Sequence, residues 1–409
     1  MKILPINIQF FYTVKQGQAK ILQCLGSNTS ISIPEKIQGI PVTEIGAYAF
    51  TSTSSFTECL EDADVKTVTH ETYVLVSEPM ELEEQIASWK ENQQGSLLKN
   101  IVLPPTVSIL GEGAFSNCHG LKHINLPESI DTIADYTFSH CENLKQIHLS
   151  KNIQKIGKYA FQNCRNLEDI QLPDGLLSIG DYAFYNCRNL WQINLPQNLC
   201  EIGCGMFKNC ESLTHINRYG HTFLQDILAD MSHQITLTLR YPTETKEKWD
   251  VVTLLFPDYE YEFVENHPAR VFTQVNYGSG YLYHQCISSS DVDFKRYDEL
   301  FSLAKREDTN GTIVGIALNR LRYPYRLFDE PRKGYLAYLD RNLIAVAKIL
   351  IETNDLENLK FITSLGIVTE DRIDTIIDFA SLDKKVESLS FLLDYKHTHF
   401  SRKERTFEL

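Results

Sequence analysis

Cysteine, histidine and tryptophan are the side chains in this sequence best suited to chemistry, and the ten cysteines come first. Cys200, Cys204, Cys210 and His215 fall within one short stretch. Thiolate and imidazole are zinc ligands, but a structural site is usually pinned by a tight pair of cysteines. The spacing C-x3-C-x5-C-x4-H lacks such a knuckle, so no metal is assigned. Nucleophilic and phosphate chemistry fare no better. The chain has no G-x-S-x-G elbow to expose a serine and no H-E-x-x-H pair to hold zinc on a helix. Gly278-Ser279-Gly280 lacks the strand-to-helix setting of a phosphate cradle and reads as a loop. Asp291-Val292-Asp293 has no companions to complete a calcium loop and reads as a helix cap. No catalytic, cofactor-binding or metal-binding residue is assigned, and no enzyme activity is expected.

Five of the cysteines keep a strict register instead. Cys118, Cys141, Cys164, Cys187 and Cys210 are each 23 residues apart. So are Phe115, Phe138, Phe161, Phe184 and Phe207, and Leu121, Leu144, Leu167, Leu190 and Leu213. Ile124, Ile147, Ile170, Ile193 and Ile216 make a further column, and Leu-Pro recurs at Leu103, Leu126, Leu172 and Leu195. One unit reads LKHINLPESIDTIADYTFSHCEN. Its L-x-x-I-x-L start alternates as a strand does, with Leu121, Ile124 and Leu126 inward. The apolar pair Ile130 and Ile133 follows, then Phe138 and Cys141. Such a unit buries one stripe by itself, and stacking on neighbours must cover its flanks. The cysteine column is then a set of small buried hydrophobes. Disulfides along it are excluded by spacing, since a bridge needs Cβ atoms about 3.8 Å apart and stacked rungs lie about 4.8 Å apart.

The pattern I-G-x-x-A-F-x-x-C-x-x-L-x-x-I-x-L-P resembles the BspA-type leucine-rich repeats of bacteria and some protists. It stands here as IGKYAFQNCRNLEDIQLP (156–173) and IGDYAFYNCRNLWQINLP (179–196). The opening is similar to a first coil of that family: Tyr12-Thr13-Val14, Ile31 to Pro34, Gly39 to Gly46, Ala49-Phe50. The resemblance covers about half the chain and implies a parallel solenoid. It implies little about function, because function sits on sites rather than folds.

A partner of such a solenoid would meet its outward strand positions. One column runs Asn125, His148, Gln171, Asn194, Asn217, and its neighbour runs His123, Gln146, Asp169, Gln192, His215. A third runs Lys122, Lys145, Glu168, Trp191, Thr214. Amides and imidazoles along a stack can simply bond to one another in solvent. They can also form a recognition face, and a tryptophan among polar equivalents is a favoured anchor. The candidate partner-binding residues are Trp191, His123, Asn125, His148, Asp169, Gln171, Gln192 and Asn194.

The elements that must position this face divide the chain in three. Residues 1–220 are expected to form the solenoid, with an insertion at about 51–96 where the Cys and Leu columns vanish. That insertion holds TSTSS, an acidic stretch and a helix-like piece, Pro79 to Asn92. Residues 221–290 form a linking region whose alternation at Ile235–Leu239 and Tyr259–Phe263 predicts short strands. Residues 291–409 are expected to be helical. A 3–4 spacing runs through Tyr297, Leu300, Phe301 and Ala304, then Ile313, Ile316, Ala317 and Arg320-Leu321, with Arg320 a charge in an otherwise apolar stripe. Helix pairs follow, with a turn at Asn354-Asp355, a stop at Gly366 and an N-cap at Thr369. Leu356, Leu359 and Phe361 recur as Val386, Leu389 and Phe391. These pairs resemble ankyrin-type helix pairs, without the T-P-L-H turn. The fold class is therefore α+β, a leucine-rich-repeat solenoid followed by helical pairs.

A net charge of −14 argues against nucleic acid and against an anionic membrane surface. No apolar run approaches the ~20 residues of a membrane span. Ile3–Phe11 is too short and too interrupted for a signal segment, so a cytoplasmic location is expected. Asn28-Thr29-Ser30 and Asn310-Gly311-Thr312 match the glycosylation sequon by pattern only. The primary expectation is a non-enzymatic protein-interaction scaffold with a protein partner. The alternatives are a surface or secreted adhesin, and an enzyme with its site hidden in residues 220–335.

Overall fold

The computed structural model describes residues 2–25, 29–51, 66–76, 98–220, 222–243, 248–266, 271–288 and 291–400. They divide into two compact units, Met1–Ile235 with Ser288–Asp291, and Thr236–Ile287 with Val292–Leu409.

The first unit opens on a hairpin. Strands β1 (Lys2–Lys15) and β2 (Gln18–Leu25) pair antiparallel around Gln16-Gly17. Both turn residues have positive φ, 52° and 76°, as the twist of a two-residue hairpin demands. Strands β3 (Ser30–Ser32), β4 (Lys36–Ile37) and β5 (Ile40–Ile45) follow, and β5 runs parallel to β2. Within the segment 51–96, residues 66–76 form strand β6 (Lys66–Val76), antiparallel to β1 from Lys2↔Val76 to Tyr12↔Lys66. The helix-like piece Pro79–Asn92 lies outside the described residues.

The coils then stack with two parallel ladders each. The first joins β3, β7 (Asn100–Val102) and β9 (His123–Asn125), pairing Ile31, Ile101 and Ile124. The second was legible only as an apolar pair. In it Ile45 of β5 pairs with Leu110 of β8 (Ile109–Leu110). It continues through β10 (Thr132–Ile133), β11 (Lys155–Ile156), β12 (Ser178–Ile179) and, beyond β13 (Gln192–Leu195) of the first ladder, β14 (Glu201–Ile202). Coil spacing here tolerates almost no side chain. A Cβ on Gly180 would stand 2.6 Å from the Lys158 backbone nitrogen of the coil before.

Inside the stack, Phe50, Phe115, Phe138, Phe161, Phe184 and Phe207 form a file of buried rings. Neighbouring centroids are 5.2, 5.5, 5.4, 5.3 and 5.8 Å apart. Beside it runs the thiol column, buried throughout. The thiols do more than fill space. Cys141, Cys164, Cys187 and Cys210 each donate S–H to the carbonyl of the phenylalanine one coil back, at 3.2, 3.2, 3.1 and 3.1 Å. Cys118 does the same to Phe50 O at 3.4 Å. Burial pushes all five thiols up, Cys210 to about 12. No thiolate forms at neutral pH, and reactivity follows the thiolate. Labelling with a thiol reagent should therefore leave these five silent in the native protein and capture them on unfolding, while exposed Cys200 and Cys204 react at once. Early label on peptides carrying Cys141 or Cys164 would contradict the burial.

The stack ends at β15 (His215–Tyr219), parallel to β13. Here Arg218 is buried and donates to Pro196 O at 2.7 Å, Leu199 O at 3.0 Å and Thr222 Oγ1 at 3.0 Å. Helix α1 (Leu224–Leu228) closes the unit with Leu224, Ile227 and Leu228 buried.

In the second unit β16 (Ile235–Pro242) and β17 (Trp249–Phe256) are sheet neighbours, and β18 (Glu260–Asn266) pairs antiparallel with β19 (Val271–Tyr277). Helices α2 (Gly280–His284), α3 (Phe294–Glu299), α4 (Phe301–Glu307) and α5 (Asn310–Arg322) follow. Asp293 of the D-x-D pair caps α3, accepting from Arg296 N–H at 2.9 Å. After α6 (Asp329–Arg341) come the pairs α7 (Leu343–Glu352) with α8 (Leu356–Ser364), and α9 (Glu370–Leu382) with α10 (Val386–Phe400). Gly366, at φ 73°, follows α8, and Thr369 precedes α9 without a side-chain capping bond.

Candidate functional site

The outward face of the first ladder carries every residue singled out from the columns. The inward partners Ile124, Ile147, Ile170, Ile193 and Ile216 are buried, so alternation turns their neighbours out. His123, Asn125, His148, Gln171 and Asn194 are exposed, while Asp169 and Gln192 are half-buried. Trp191 keeps 45 % of its surface in solvent.

Part of this face bonds along the stack. Asn217 donates its amide to Asn194 Oδ1 at 2.8 Å, and Lys145 reaches Glu168 at 3.5 Å. Asn125 and His148 share a parallel bridge. Trp191 is held by backbone bonds from both sides. Its N–H donates to Glu168 O at 3.5 Å, and its carbonyl accepts from Thr214 and His215 at 3.0 and 3.2 Å. The His215 ring meets the indole edge-to-face with centroids 6.0 Å apart, and burial there lowers the His215 pKa. One flank of the indole is thus braced, and the rest faces water.

Two further columns were missed by the sequence reading. Tyr136, Tyr159 and Tyr182 stack in a half-buried file, 5.1 and 5.2 Å between centroids, all with positive φ. Four residues on in each coil, Asn117, His140, Asn163, Asn186 and Asn209 are also left-handed. This second column makes a directed chain of bonds. Arg188 Nε donates to Asn186 Oδ1 at 2.8 Å, Asn186 donates to Asn163 Oδ1, and Asn163 Nδ2 lies 2.8 Å from His140 Nε2. An amide N–H facing Nε2 requires that nitrogen to accept, so His140 is neutral with its proton on Nδ1, toward Ser139 Oγ at 2.9 Å. Burial first, with His119 and Arg165, lowers its pKa against the pull of Glu142. The signal was there: Gly113 and Gly205 take the tyrosine position and asparagine recurs in the other column, both residue types that tolerate positive φ.

Among the described residues no group of three or more His, Cys, Asp or Glu is placed to hold a metal ion. The stretch 220–335 does contain a convergent polar cluster. Arg320 grips Asp298 with two bonds, 2.7 and 3.0 Å, and Tyr335 Oη donates to the same carboxylate at 2.8 Å. Both charged side chains are wholly buried, so a substrate has no access to the pair.

A family model for the BspA type leucine rich repeat region matches residues 91–214 in six copies. Residues 91–214 are a BspA-type leucine-rich-repeat region. Among solved structures, the leucine rich repeat protein of T. pallidum is similar at 24 % identity, covering 50 % of this chain and 87 % of that one, with a TM-score of 0.37. A leucine rich cell surface protein of Faecalibacterium prausnitzii is similar at 21 % identity over 50 % of this chain and 52 % of its own, with a TM-score of 0.34. No curated protein matches the chain. In BspA-type terms, the Tyr file, the Phe file and the thiol column occupy successive positions of the I-G-x-x-A-F-x-x-C motif. Among the described residues no helix is long and apolar enough to cross a membrane.

Proposed function

We propose that the BspA-type solenoid is a non-enzymatic scaffold for a protein partner, which seats on the strand columns around Trp191. The carrying observation is the half-exposed indole of Trp191, its backbone bonded to both neighbouring coils and its ring braced by His215, within a face of amides and imidazoles. An exposed tryptophan offers a large apolar area with little entropy left to lose, which is why tryptophan is common among binding hot spots. His123, Asn125, His148, Gln171 and Asn194 line the same face of the ladder with donors and acceptors. The Phe and Cys columns are spent on the core. The partner is expected to be a protein of the compartment in which the chain resides, cytoplasm or cell surface, and fractionation of native cells decides which pool to search.

Trp191→Ala is expected to weaken a captured partner by about 2 kcal/mol or more, roughly thirtyfold, with the denaturation midpoint held. If affinity stays and stability drops, the indole belongs to the fold alone and the reading fails.

A further inference from the structure

The last four helices repeat at an interval of 30 residues, down to single hydrogen bonds. In the first pair Thr353 N–H donates to Ile349 O, Asn354 to Ile351 O, Asp355 to Leu350 O and Leu359 to Asp355 O, at 3.0, 3.1, 2.8 and 3.0 Å. In the second Asp383 donates to Phe379 O, Lys384 to Ser381 O, Lys385 to Ala380 O and Leu389 to Lys385 O, at 3.0, 3.2, 3.0 and 2.9 Å. Asn354 and Lys384 share a left-handed turn, φ 57° and 54°. The buried stripe keeps the same register, with Leu343, Val346 and Leu350 answered by Ile373, Ile376 and Ala380.

Three contacts mark where the second pair sits on the first. Lys348 Nζ lies 5.6 Å from the Phe379 ring, Lys385 Nζ donates to Glu352 O at 3.1 Å, and Tyr395 Oη donates to Thr363 O at 3.1 Å. The register carries Lys348, Glu352 and Thr363 onto Asp378, Leu382 and Leu393. The receiving positions of the last pair are therefore known, and the two leucines among them are open. Leu382 is 76 % exposed and Leu393 50 %. Val386 is 75 % exposed, whereas its equivalent Leu356 is half-buried.

The charge of what would cover it follows from the rim. Residues 370–400 carry seven acids and four Lys or Arg. Three of those four are engaged, Arg372 on Asp340, Lys385 on Glu352 O and Lys396 on Asp374. Asp371, Asp378, Asp383, Glu387 and Asp394 are exposed. A second copy would set acid against acid.

We infer that the open face of α9 and α10 docks a basic, amphipathic helical hairpin of another protein, seated as this pair is seated on α7 and α8. The test uses the full chain and two labelled, designed two-helix peptides with one apolar stripe, flanked by lysine in one and by glutamate in the other. The lysine peptide should bind at least tenfold more tightly, and added salt should narrow the gap. Leu393→Lys should weaken it at least tenfold, and the gentler Leu393→Ala severalfold, with helix content and melting unchanged. Equal binding of the two peptides, or indifference to both substitutions, overturns the inference. So does a dimer of the full chain in sedimentation that Leu393→Lys dissociates, since the occupant is then a second copy.

Discussion

Arg320→Ala is expected to cost the second unit about 3–5 kcal/mol, the penalty for leaving one member of a buried ion pair without its partner. Asp298 would remain wholly enclosed and charged, with one hydroxyl, that of Tyr335, in place of three donors. The loss would also free Tyr325 O, which accepts from Arg320 Nη1 at 3.1 Å, and remove one of the two cations above the Phe294 ring. Most of this cost belongs to the orphaned charge rather than to the attraction of the pair. Asp298→Leu combined with Arg320→Met should therefore cost clearly less than the two single changes summed. Urea denaturation of the four proteins measures both quantities. Additive losses would mean that the two side chains act independently, against their geometry.

Phe161→Ala should destabilise the solenoid by about 3–5 kcal/mol, the usual range for emptying a buried aromatic site. Its ring lies between Phe138 and Phe184, with interplanar angles of 16° and 1°. Removal therefore strips a face from each neighbour. Relaxation into the void is restricted, because the coils on both sides are tied by paired backbone bonds such as Phe138 N–H to Ala160 O and Phe161 N–H to Ala183 O, both 2.8 Å. Chemical denaturation followed by tyrosine and tryptophan fluorescence reads the loss. An unchanged midpoint would show that the file is not the core of the stack.

The period made most of the solenoid legible. Equivalent residues meet equivalent surroundings, so six columns determine the inward stripe and leave Trp191 on the outside. The second ladder was harder to see, because two-residue strands such as Lys155-Ile156 are too short to show alternation. Tyr136, Tyr159 and Tyr182 gave no turn signal themselves, since tyrosine rarely takes positive φ, and only Gly113 and Gly205 at the same position marked the turn. Strand β6 was hidden by distance, as its partner β1 begins more than fifty residues earlier. Arg320 showed itself as a charge within an apolar helical stripe, yet Asp298 and Tyr335 could not be named from periodicity. Side chains that meet through tertiary packing leave no spacing to read.

The left-handed columns bear on how the solenoid acquires its shape. Each coil from Tyr136 to Asn186 carries two non-glycine residues at positive φ, a conformation that costs of order 1 kcal/mol or more apiece. What holds them comes from the next coil: Tyr136 N–H donates to Lys158 O, and His140 N–H to Gln162 O. A lone coil would bear the strain with none of those bonds, and nucleation needs at least two in register. Beyond that point each added unit brings a full set of partners for its own strain. The smallest fragment able to fold is therefore set by how many coil interfaces it contains, and a cut through the middle of the stack removes more than the residues it severs.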